Sequence, residues 1–93
     1  MEFETVSDEA AYIEERIDTA IEQFTTTDGD VDLGISNLEE AHEAAISGEP
    51  REATAADLEK ALDAAYAGDE TRHIGELQNI SIALAMVQIV EEQ

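Results

Sequence analysis

Both histidines of the chain carry a glutamate three residues upstream, Glu39 before His42 and Glu70 before His73. Residues three apart share one face of a helix, and a carboxylate beside an imidazole on one face is how di-metal carboxylate bundles present ligands to their metals. Glu39, His42, Glu70 and His73 are therefore the candidate metal ligands. Their placement works against a site within one chain. His42 falls about twelve residues down its helix and His73 about four down its own, an axial offset of roughly 12 Å for helices starting at the same end. The metals of a shared site lie only about 3.5 to 4 Å apart. The metal reading is thus that of a dimer whose two copies bring the Glu-x-x-His elements together, and the competing reading is a pair of packed histidines.

A second spacing, Asp28, Asp30, Asp32, Ile35, Ser36 and Glu39, falls on positions of a twelve-residue calcium loop. It fails at the sixth position, where the sharp turn needs glycine and the chain has Leu33, with Gly34 one place late. The simpler account is an acidic helix start favoured by the macrodipole. With no cysteine, no glycine-rich phosphate loop, no nucleophile elbow and no arginine cluster, no catalytic residue and no cofactor are expected. Tyr12 and Tyr66 sit among alanines that a ring can cover. Arg72 and Glu76 are spaced for a surface ion pair.

The elements that must hold these residues belong to a chain of 93 residues with four Lys+Arg against 24 Asp+Glu, a net charge of −20. That length is one domain, 1–93, with a thin core. The charge excludes direct nucleic acid binding and attachment to anionic membrane, both of which pair phosphates with Lys and Arg. The acidic start from Met1 to Asp8 lacks a signal peptide's pattern, and the longest apolar run, Ile82 to Val87, is too short to span a bilayer. A cytoplasmic protein is expected. An apolar content of 43% is enough to fold. The composition resembles that of cytosolic proteins of salt-in extreme halophiles, with Lys60 the only lysine.

Four segments show helical period. The first runs from about Ser7, as N-cap, to Phe24, with Ala10, Ile13, Ile17, Ala20, Ile21 and Phe24 on one face. After a turn at Thr25 to Gly29, the second runs from about Asp30 to Ser47 with Val31, Ile35, Leu38, His42 and Ala45 in its stripe, and stops at Gly48 with Pro50 beyond. Thr54 and Asp57 form a capping box for a third, striped by Ala55, Leu58, Leu62 and Ala65 and ended by Gly68. Asp69 caps a fourth, whose seam is His73, Leu77, Ile80, Leu84 and Val87. With only Gly68 and Asp69 between them, helices three and four are expected to form a tight antiparallel hairpin. An internal echo, twenty residues apart, shares Leu38/Leu58, Glu39/Glu59, Ala41/Ala61, Ala44/Ala64, Ala45/Ala65 and Gly48/Gly68. Duplication or one packing solution used twice would both produce it.

Helix four is the anomaly. Ile82, Met86 and Ile89 project opposite its seam, so Ile80 to Val90 is apolar nearly all round, relieved only by Ser81 and Gln88. Such a helix must be buried on more than one face. Either it is the central element covered by the other three, or Ile82, Met86 and Ile89 are an interface. The sequence thus reads as an all-α antiparallel four-helix bundle, up-down, with helix four partly in an intermolecular interface. The expected function is non-catalytic, in a homodimer or with a protein partner. An acidic surface that mimics nucleic acid toward a basic protein is a third reading, and it needs carboxylates in two rows.

Overall fold

The computed structural model describes residues 4–47 and 52–91. They form four helices, α1 (Val6–Thr25), α2 (Val31–Ser47), α3 (Glu52–Tyr66) and α4 (Ile74–Glu91), with no strand among the described residues. In α1 the three-and-four spacing of Ala10, Ile13, Ile17, Ala20 and Phe24 forms one stripe, and all five are buried. The helix begins earlier than Ser7. Thr5 is extended (φ −136°, ψ 161°), and its hydroxyl accepts the N–H of Asp8 at 3.0 Å. Threonine and serine both cap well, so the sequence does not by itself choose between them. Glu9 is buried in the first turn, where unpaired backbone N–H groups favour a carboxylate.

Asp30 caps α2, its carboxylate accepting the N–H of Leu33 at 3.2 Å, so the helix takes up the acidic run that mimics a calcium loop. Leu38, Ala41, Ala44 and Ala45 are buried, and Val31 and Ile35 pack at the edge of the core. Glycine at position 34 allows α1 and α2 to close at this end: a Cβ there would stand 2.6 Å from the ring of Phe24. The expected stop at Gly48 and Pro50 lies outside the described residues. Helix α3 already runs from Glu52, which puts Thr54 inside it instead of at its cap. Leu58, Ala61, Leu62 and Ala65 are its buried stripe.

Gly68 ends α3 as expected, at φ +87°. The Gly68 N–H bonds the Ala65 carbonyl at 3.0 Å and the Asp69 N–H bonds the Ala64 carbonyl at 2.8 Å, a Schellman closure in which the left-handed residue carries no Cβ. Here the expected cap of helix four fails. The Asp69 N–H turns back to α3, its carbonyl accepts from Arg72, and turns continue to His73 before α4 starts at Ile74. A seven-residue connection, 67–73, replaces the expected two-residue hairpin, and α3 touches α4 only lightly.

Helix α1 is flanked by both α2 and α4, α2 by α1 and α3, and no pair of Cα atoms from α2 and α4 comes within 8 Å. With α3 also touching α4, the helices close a ring in which each has two neighbours, so α4 is not a central element covered by the other three. Neighbours run antiparallel: along α1, Phe24 meets Gly34 and Arg16 meets Asn37 of α2, while Asp18 meets Ser81 and Glu14 meets Gln88 of α4. The bundle measures 39 × 21 × 19 Å. In the internal echo, Leu38/Leu58, Ala41/Ala61 and Ala45/Ala65 are buried pairs, so the shared residues perform the same packing on α2 and α3.

Candidate functional site

Two groups of residues carry the functional reading: the Glu-x-x-His elements and the outer side of α4. The first do not converge. The Glu39 carboxylate accepts the Tyr66 hydroxyl at 2.7 Å, tying α2 to the end of α3. Tyr66 is therefore not a ring laid over alanines; it is exposed and anchored by its oxygen. His42 is half-buried on α2. His73 precedes α4, and its Nδ1 donates to the Glu76 carboxylate at 2.5 Å, three residues downstream, instead of pairing with Glu70. Glu76 is thereby taken from Arg72, which lies 3.9 Å from Asp69. His42 stands on α2 and His73 at the start of α4, the two helices that do not meet. Among the described residues no three His, Asp or Glu side chains form a group able to hold a metal ion.

The Tyr66 contact has a measurable signature. The hydrogen bond to Glu39 and the nearby negative charge hold the phenol above its usual value near 10. The folded-state value is raised, so the contact's contribution to stability is present below about pH 10 and fades as pH rises through the folded value. In a Tyr12→Phe background, ultraviolet titration should give a phenol midpoint above 10, and Glu39→Gln should lower it. Equal midpoints in the two proteins would show that the bond does not form.

The second group is the outer side of α4. Leu77 and Leu84 are buried, with Ile80 and Val87 packed at the core's edge, so the expected seam faces inward. The opposite side stays in water: Ile82 is 60% exposed, Met86 60%, Ile89 57% and Val90 70%. The two polar residues of this stretch turn to α1, Ser81 donating to Asp18 at 2.6 Å and Gln88 to Glu14 at 2.9 Å. From Leu77 to Val90 there is no ionisable residue. A shallow open groove of about 380 Å³ between α1 and α4 borders this face, lined by Asp18, Ile21, Gln78, Ser81 and Ile82. Its single titratable group, Asp18, already holds the Ser81 hydroxyl, which leaves the groove without an acid–base pair. None of the described helices is long and apolar enough to cross a membrane.

Periodicity does not disclose the polar node between α1 and α2. Arg16 donates from Nη1 to Asn37 at 3.2 Å, places its Nε 3.5 Å from Glu40, and stacks its guanidinium 4.9 Å from the ring centre of Tyr12. Asn37, buried, donates to the Leu33 carbonyl at 2.9 Å. The sequence signal for half of it is Tyr12 four residues before Arg16 on one helix face; the partners on α2 have no sequence-local mark. No protein-family model matches the chain, and neither a curated protein nor a solved structure is significantly similar to it.

Proposed function

We propose that the chain is a non-catalytic helical protein-interaction or oligomerisation module, adapted to concentrated salt, that works through the outer face of α4. The observation that carries this reading is the 57 to 70% exposure of Ile82, Met86, Ile89 and Val90 on one stretch of helix. Clustered apolar side chains of this size on a charged surface mark an interaction site. The surplus of carboxylates fits a protein working where salt screens its self-repulsion. The contacts favour docking over a di-metal site, since Glu39 and His73 are engaged with Tyr66 and Glu76.

Because the chain has no cysteine, a photo-reactive maleimide can be placed at one position only. Ile82→Cys labelled in this way, in a cell extract at native salt, is expected to give a discrete protein adduct. Glu59→Cys, on an exposed part of α3, should give only background. Equal background from both positions would overturn the docking role of α4.

A further inference from the structure

The outer face of α4 also indicates what covers it and how. We propose that its occupant is a second copy of this chain, laid antiparallel along α4 about a two-fold axis near Met86. The inference rests on the interaction reading and adds the partner and the geometry.

Charge selects the partner. The chain carries −20, yet α4 has no ionisable group from Leu77 to Val90. A basic partner would find its counter-charges elsewhere on the surface. Two copies, by contrast, can touch along this strip with no ionisable residue of either α4 between them. Exposed Ile82, Met86 and Val90 stand four apart along one side of α4, so a second copy turned end for end about Met86 presents the same three positions. A two-fold contact requires this self-complementarity.

Charge and the helix dipole also select the direction. A parallel pair would align both dipoles, set Asn79 against its own copy, and bring together the two copies of Glu91, the last residue of α4. An antiparallel pair centred on Met86 opposes the dipoles. It places Ile82 against Val90 of the second copy and keeps the two copies of Glu91 at opposite ends of the strip. The apolar strip from Ile82 to Val90 is only about 12 Å long at about 1.5 Å per residue. An interface of that length falls below the roughly 800 Å² per partner of standard complexes, so the dimer should be weak and salt-promoted.

The test is cysteine pairing in purified protein at 2 M KCl under mild oxidation, with mass read by light scattering and helix content by circular dichroism. Disulfides need Cα atoms within about 7 Å. Met86→Cys is expected to form a covalent dimer with native helix content. Ile82→Cys alone should give no more than a Glu59→Cys control, its two copies lying roughly 12 Å apart along the axis. Ile82→Cys/Val90→Cys should restore cross-linking. Equal cross-linking by Ile82→Cys and Met86→Cys would overturn the antiparallel arrangement. Monomer mass for the unmutated protein at high concentration, with no Met86→Cys dimer, would overturn self-association. In that case an adduct to another protein at position 82 would leave the interaction reading standing.

Discussion

Met86→Glu is expected to weaken self-association at least about 100-fold, a change of about 2.7 kcal/mol, while leaving the folded monomer as it is. Met86 keeps 60% of its surface in water, so much of the roughly 1.5 to 3 kcal/mol from burying a methionine is still to be gained by docking. The substitution removes that gain from both copies. Near a two-fold axis it also sets two carboxylates against each other in an apolar contact, where each loses hydration. Inside the monomer little changes, because substitutions at exposed sites shift stability by about 0.5 kcal/mol or less, and glutamate is as good a helix former as methionine. Sedimentation in 2 M KCl should show the unmutated 10.1 kDa chain moving toward twice that mass as concentration rises, and the variant staying at it. If helix content falls with the substitution, the α4 face is part of the monomer's own core.

The melting temperature should rise by roughly 5 to 15 °C between 0.1 and 2 M KCl. Glu14 with Asp18, Asp18 with Glu22, Glu39 with Glu43, and Glu59 with Asp63 stand four apart on α1, α2 and α3. Each like-charge pair costs roughly 0.2 to 0.5 kcal/mol at low salt, or about 1 to 2 kcal/mol for the four. A domain of this size shifts its midpoint by about 4 to 8 °C per kcal/mol, so screening these pairs accounts for the rise. None of the four helices carries a basic residue in its last turn, so nothing on the helices offsets their negative ends. The measurement belongs on dilute Met86→Glu, where association cannot raise the midpoint. A melting temperature independent of KCl would separate the carboxylate surplus from any role in salt adaptation.

The helices and their inner faces were legible because burial follows a period the sequence displays. Ile13 and Ile17 of α1, Leu38 of α2, Leu58 of α3 and Leu77 of α4 are fully or almost fully buried, and each lies on the stripe its spacing predicts. The ends were less legible, because several residues compete for each cap. Thr5 takes the position that Ser7 could also fill, and Asp69 is used by the closure of α3 before it can start α4. The polar contacts were not legible. Tyr66 and Glu39 are 27 residues apart and Arg16 and Asn37 are 21 apart; such pairings depend on how helices are turned toward each other, which no local pattern encodes. The exposed strip on α4 was visible as an excess, since a helix apolar on every side exceeds what one neighbour can cover.

The position of α1 between α2 and α4 bears on how the chain leaves the ribosome. About fifty residues separate the end of α1 from the start of α4, roughly 2 to 10 s of synthesis at about 5 to 20 residues per second. During that interval α2 can close over one flank of α1 while the other flank waits for its cover. The waiting flank carries Glu14 and Asp18, which later accept Gln88 and Ser81, beside the apolar Ile21. Charged residues bordering apolar ones are gatekeepers against aggregation. Glu14 and Asp18, which hold α4 in the finished bundle, are thus the charged border of that flank until α4 is made.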